Sequence, residues 1–277
     1  MGAKRKYITS ASSGAGKMIE DILEFDKEAI SGKIIQFSKA CLQQAGASKM
    51  VIGASTGLDS TTASYLGKEI VGSENLILLH LPHHNHEKSI QEFQRICDLV
   101  GVSDCNRIII DIMPMLQAYP HPGSTLQMTN LLTRIQRAIL FDYSHKNNAP
   151  LFGTLNRTEY ELGEFPIFAL EASIQPIRGL FKTQVKYLAG HLGAPLDIQN
   201  RIPTIDSWLG KDYEINRTQI VKIGIPIVDR ILKYTIDEQL EKEEITKKGF
   251  KGEDVEFVLH LRRKNSFKKD IPYAPQL

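Results

Sequence analysis

The chain has 277 residues, 42% hydrophobic and 24% charged, which is enough apolar sequence for one large core and too much for a disordered chain. A formal charge of +2 is too mild to point to a nucleic-acid partner, and no apolar run reaches the length that spans a bilayer. Cys41, Cys97 and Cys105 are odd in number, show no CxxC spacing and follow no apolar leader, so small buried thiols in a reducing cytoplasm are expected.

Residues 1–17 read as a flexible tail. Gly14, Gly16 and Lys17 imitate a Walker loop, but the first glycine and the following hydroxyl residue are missing and no strand precedes them. Residues 18–277 read as one domain. Ile22, Leu23, Ile30, Ile34, Ile35, Phe37 and Leu42 recur at helical spacing, and Gly46 ends that run.

The next stretch organises the rest. An apolar run, Met50, Val51, Ile52, Gly53 and Ala54, breaks into Ser55, Thr56, Gly57, Leu58, Asp59 and Ser60 before a helical pattern begins at Thr61. A buried strand thus delivers a phosphate-sized loop to a helix start. The hydroxyls of Ser55 and Ser60, the backbone N–H groups and the positive end of the helix dipole all favour an anion there. Asp59 adds a carboxylate able to hold Mg²⁺ against phosphates. A strand-to-helix turn with a serine cap and no ligand has the same local pattern. Thr56 is β-branched and tolerates a positive φ poorly, so a loop needing a left-handed residue there would be altered.

A helix from Thr61 to Val71, an apolar strand from Asn75 to Leu81, a helix from Glu87 to Val100 closed by Gly101, and a strand from Arg107 to Asp111 follow. Alternation of this kind predicts an α/β fold, a doubly wound parallel sheet with helices on both faces. His83, His84 and His86 crowd the loop after the second strand; a solvated loop lining the crevice is favoured there over a metal site. The segment from Met113 to Gln127, rich in proline, reads as a loop or lid. A long helix from Asn130 to about Lys146 then sets Asn130, Arg134 and Arg137 on one face. A fourth strand from Pro150 to Thr154 runs into Asn156, Arg157, Thr158 and Glu159, and Lys182 opens a later helix.

Taken together, these segments resemble the ammonia-dependent NAD synthetases of the N-type ATP pyrophosphatase group. The first loop is similar to the family's Ser-Gly-Gly-x-Asp-Ser, with Thr56 in place of the first glycine. Residues 153–163 resemble Gly-Thr-x-Asn-Lys-Ser-Glu-x-x-x-Gly; residues 176–185 resemble Pro-Ile-x-x-Leu-x-Lys-Thr-Gln-Val; Pro203 and Thr204 resemble a Pro-Thr/Ser turn. The tail at Phe267, Lys268 and Lys269 resembles a closing His-Lys-Arg segment, while the basic run Arg262, Arg263 and Lys264 reads as a solvated tail or substrate clamp.

The resemblance implies ATP-dependent amidation of deamido-NAD by free ammonia through an adenylated intermediate, in a homodimer without nucleic-acid or membrane partners. It assigns Asp59 and Lys182 to catalysis, and Gly53, Ala54, Ser55, Thr56, Gly57, Leu58, Asp59, Ser60, Thr154, Lys182 and Thr204 to ATP. It assigns Asp59 and Glu159 to Mg²⁺, and Arg134 and Lys268 to deamido-NAD. The departures lie on the acceptor side: Pro166, Ile167, Phe168, Ala169 and Leu170 replace a Thr-Lys-Tyr-Gly-Asp run, Ser173 a further Asp, and Phe267 the tail histidine. An amide ligase for another carboxylate, or an ATP-binding relative that has lost turnover, are therefore two further readings.

Overall fold

The computed structural model describes residues 25–82, 86–120, 123–169, 171–201 and 211–269. The tail expected over residues 1–17 lies outside them. Asp26 opens α1 (Lys27–Gln44) by accepting from the Ala29 amide at 2.9 Å, which satisfies one of the unpaired N–H groups of a helix start. β1 (Met50–Gly53), α2 (Leu58–Val71), β2 (Leu76–His80), α3 (His86–Val100) and β3 (Arg107–Ile109) then alternate as expected.

The expected loop from Met113 to Gln127 is a correction. It contains α4 (Met113–Gln117) and the beginning of α5 (Thr125–Lys146), five residues ahead of the expected start. Pro114 falls in the first turn of α4, where a missing N–H costs nothing. Ser124 and Gln127 form a reciprocal capping box that starts α5 early. β4 (Leu151–Phe152) and α6 (Arg157–Leu162) follow. After them come α7 (Lys182–His191), α8 (Leu196–Gln199), α9 (Lys211–Ile223), α10 (Ile225–Ile236), α11 (Lys242–Lys247) and α12 (Gly252–Lys264).

Among the described residues, four strands pair in parallel in the order β3-β2-β1-β4. Side-chain alternation divides the core between the two faces. Met50, Ile52, Leu76 and Leu78 join Leu66, Phe93, Val185 and Leu188 in one apolar cluster. Val51, Ile77, Leu79 and Leu151 join Leu132 and Leu140 of α5 in the other. Burial on both sides explains why these strands read as unbroken apolar runs; each fully buried Leu or Ile contributes roughly 1.5–3 kcal/mol. At Gly67 the fold needs a bare Cα, because a Cβ would lie 2.8 Å from Leu76 Cδ1 and 3.1 Å from Ile52 Cδ1. That close approach seats α2 directly on the sheet.

A third cluster, built on Val228, Ile231, Leu232, Ile245, Val255 and Val258, joins α10, α11 and α12. The basic run Arg262, Arg263 and Lys264 is therefore the last turn of a packed helix and not a solvated tail, a position that also suits the helix dipole. The chain leaves β1 toward β2 on one side and returns to β4 on the other. This reversal opens a crevice at the carboxyl ends of β1 and β4, where open α/β sheets bind ligands.

Candidate active site

The loop leaving β1 supplies the first half of the crevice. Ala54 N continues the ladder to Leu79 O at 2.8 Å, and the Ala54 carbonyl meets His80 Nδ1 at 2.8 Å. Ser55 Oγ lies 3.1 Å from Ser60 Oγ, and Ser60 Oγ donates to Gly57 O at 3.2 Å, so the two hydroxyls close the turn from inside. Gly57, the residue before α2, has an extended backbone, φ −78° and ψ 171°. The left-handed residue is Thr56, at φ 65°. The expected difficulty with a β-branched residue is thus real, and the chain adopts the conformation regardless.

Asp59 sits in the first turn of α2 and faces groups brought from β4, α6 and α7. Lys182 Nζ donates to Asp59 Oδ2 and lies 4.0 Å from Glu159 Oε1. Asn156 caps α6 by accepting from Glu159 N at 2.9 Å, and its amide donates to Asp59 Oδ1 at 3.2 Å. One fully buried asparagine therefore ties Asp59 to the first turn of α6, on which Glu159 sits. Burial disfavours the Lys182 ammonium, yet the Asp59 and Glu159 charges outweigh it and hold the pKa above the usual lysine value. Burial, with the Asp59 charge behind it, raises Glu159 above the ordinary carboxylate range, against Lys182 and Arg217.

Lys182 is aimed from below. Asp229, fully buried on α10, accepts from Thr158 Oγ1 at 2.5 Å, from Thr183 N at 2.8 Å and from Thr183 Oγ1 at 2.5 Å. Thr158 Oγ1 in turn accepts from Lys182 N at 2.8 Å. These bonds satisfy the first N–H groups of α7 and fix where its leading lysine points. Burial pushes Asp229 up to about 6 despite its three hydrogen bonds.

The side of the crevice expected to take the acceptor is built differently. Arg134 Nε donates to Ile167 O at 3.1 Å and Arg137 Nε to Ala169 O at 2.9 Å. Burial lowers the Arg137 pKa to about 10, against the Glu171 charge. Lys268 Nζ donates to Gly163 O at 2.7 Å and Phe165 O at 3.0 Å. Between these anchors Phe168 has φ 59° and is 57% exposed. A cavity of about 50 Å³ adjoins the carboxylates, lined by Glu159, Glu164, Lys182 and Arg217 with Leu162 and Ile220. Among the described residues, Glu164 Oε2 is buried without a hydrogen-bond partner. Burial pushes Glu164 up to about 7, opposed by Lys268 and Arg217.

The expected ATP residues Gly53 to Ser60 thus form one loop and helix start, and Lys182 and Glu159 meet its Asp59. Thr154 follows β4 at the same end of the sheet, half-buried. Thr204, His83 and His84 lie outside the described residues. Among the described residues, no group of three or more His, Cys, Asp or Glu is arranged to hold a metal by itself. Sequence reasoning passed over Asn156 as a cross-strand tie, Asp229 as the base of α7 and Glu164 as a buried acid. Two of these left signals: an Asn three residues before Glu159 is a capping signature, and a lone Asp in the apolar run Ile225 to Leu232 had to be buried and paired.

The NAD synthase family model matches residues 30–272. An NH(3)-dependent NAD(+) synthetase of Fusobacterium nucleatum is 28% identical over 266 residues, covering 92% of this chain and 98% of the relative. One from Methanopyrus kandleri is 32% identical over 263 residues, covering 89% and 90%. The solved NH3-dependent NAD synthetase of Campylobacter jejuni superposes with a TM-score of 0.75 at 22% identity, covering 91% of this chain and all of that one. The near full-length match, set beside the phosphate loop and its converging carboxylates, leads to one conclusion: the chain belongs to the NAD synthase family.

Proposed function

We propose that the protein amidates the nicotinate carboxylate of deamido-NAD with free ammonia, using ATP. The observation that carries this reading is the meeting of Asp59, Glu159 and Lys182 at the mouth of the phosphate loop, from three separate parts of the chain. The substrate carboxylate attacks the α-phosphorus of ATP, an O–P bond forms, and pyrophosphate leaves. Ammonia then attacks the acyl carbon of the adenylate, a C–N bond forms, and AMP leaves.

The loop amides and the Ser55 and Ser60 hydroxyls hold the leaving phosphates, and the Lys182 ammonium, protonated at every working pH, faces the charge that develops on them. Thr154 and Thr204 position ATP. Asp59 and Glu159 bring two carboxylates to the same lysine, oxygen donors of the kind that suit Mg²⁺, and would hold it. When bound, that ion supplies positive charge against the phosphate oxygens. Arg134 and Lys268 lie beside the loop on which the acceptor would rest, with Lys268 held on main-chain carbonyls. The near full-length similarity to ammonia-dependent enzymes favours this reading over a ligase for another acid.

The working unit is a homodimer in a reducing cytoplasm. Met115 and Tyr119 around α4, and Leu126 and Phe141 on α5, are large exposed apolar side chains that a partner copy would cover. Elution at the mass of one chain in micromolar gel filtration would overturn the dimer. For the activity, the purified protein is incubated with Mg-ATP and ammonium, with and without deamido-NAD. Pyrophosphate and NAD formed together only with deamido-NAD support the reading, and pyrophosphate formed only with another acid overturns it.

A further inference from the structure

Thr56 occupies a strained conformation, and among the described residues the Arg201 side chain grips it. At φ 65° a β-branched residue sits in a region that it populates rarely, and such residues persist where their surroundings over-determine them. Arg201, two residues beyond α8, donates from Nη1 to the Thr56 carbonyl and from Nη2 to Glu92 Oε1 of α3 at 2.6 Å. Asp197 Oδ2 lies 3.9 Å from the same Nη2. Both carboxylates are shared with Arg95, which reaches Glu92 at 3.2 Å and Asp197 at 2.7 and 2.9 Å. Arg201 is therefore fixed at its far end before it touches the loop.

The geometry of the peptide unit gives this contact its consequence. The carbonyl of Thr56 and the N–H of Gly57 belong to one planar trans peptide and point in opposite directions. Holding the carbonyl toward Arg201 turns the Gly57 N–H the other way, to the inside of the turn, where its contact is a long 3.4 Å approach to Ser55 Oγ. A triphosphate seated in the turn would meet that N–H. A glycine at position 56 would adopt the left-handed conformation unaided; a threonine needs the grip.

We propose that Arg201 is a positioning residue for the phosphate loop: by pinning the Thr56 carbonyl it presents the Gly57 N–H to the triphosphate, and so allows this chain to carry a threonine in the turn. The inference rests on the reading of this loop as the ATP site. Arg201 does not touch the nucleotide in this role, and its effect passes through the backbone of residue 56.

The test is a double-mutant cycle in the full-length chain with Arg201→Gln, Thr56→Gly and the pair. KM for ATP and kcat are read at saturating deamido-NAD and ammonium, and the dissociation constant of Mg-ATP by calorimetry. Arg201→Gln is expected to raise KM for ATP about tenfold, the scale of one charge-assisted hydrogen bond, with kcat within about threefold. Thr56→Gly alone supplies the baseline for the pair, and adding Arg201→Gln in that background is expected to raise KM for ATP by less than about twofold. An equal rise in both backgrounds, or an Arg201→Gln enzyme with unchanged ATP affinity, would overturn the proposal. Should Arg201→Gln not fold, Glu92→Gln releases the other arm of the same guanidinium and must show the same loss of effect in the Thr56→Gly background. If wild type forms no NAD, the calorimetric cycle with Mg-ATP still decides the clamp, while the turnover assay has decided the activity.

Discussion

The side of the crevice expected to hold the ATP phosphates and the side expected to hold the acceptor, here the phosphate side and the acceptor side, are held by opposite means. On the phosphate side, side chains meet side chains: Lys182 with Asp59 and Glu159, Asn156 with Asp59, Asp229 with Thr158 and Thr183. On the acceptor side, Arg134, Arg137 and Lys268 hold main-chain carbonyls of Gly163, Phe165, Ile167 and Ala169. A carbonyl is offered by every residue, so a loop gripped in this way places little demand on its own sequence. The charged groups of the phosphate side allow no such freedom, because a buried charge without its partner is costly. The difference accords with the departures expected at residues 166–173 from the sequence resemblance, beside Asp59, Glu159 and Lys182, which match it.

The largest effect should come from breaking the phosphate side. Asp59→Asn removes the carboxylate that pairs with Lys182 and is expected to lower kcat/KM about a thousandfold, with the fold retained, measured by pyrophosphate release and circular dichroism. An enzyme within tenfold of wild type would show that the two sides are alike.

The border between the sides is Glu164, whose pKa in the folded protein is pushed up to about 7 from 4.5. A carboxyl with a raised folded pKa contributes its stability below pH 4.5, and that contribution is lost as pH rises through about 7. Glu164→Gln has no such loss. Relative to wild type, it should therefore gain about 3 kcal/mol in urea unfolding between pH 4.5 and pH 8. A pH-independent difference would show that the carboxylate is well solvated.

The smallest effect belongs to the acceptor side. Arg134→Ala removes one bond to Ile167 O and is expected to raise KM for deamido-NAD about tenfold while leaving KM for ATP unchanged. A matching rise in KM for ATP would erase the distinction.

What could be read from the sequence follows the same division. β1, its loop and α2 were legible because a doubly buried strand and a Ser- and Gly-containing turn are local signals, and the two-faced sheet followed from the alternation of elements. The roles of Asp59, Glu159 and Lys182 came from the family resemblance. The tie from Asn156 to Asp59 and the clamp from Arg201 to Thr56 join residues 97 and 145 positions apart. Asn156 leaves a local trace as a cap, but neither long-range contact does. α4 was hidden by Pro114, which breaks a helix interior but starts one readily. The basic run reads as a solvated tail or substrate clamp because Arg263 and Lys264 mark the solvent face of α12, while Val255, Val258 and Leu261 mark the buried one and Arg262 pairs with Glu161.

The meeting of Asp59 with Glu159 is tested most directly by measuring ATP affinity calorimetrically with and without Mg²⁺, for wild type and for Glu159→Gln. Magnesium should tighten ATP binding by about tenfold or more in wild type and by much less in the variant. Equal ATP affinity in wild type with and without magnesium would contradict the account.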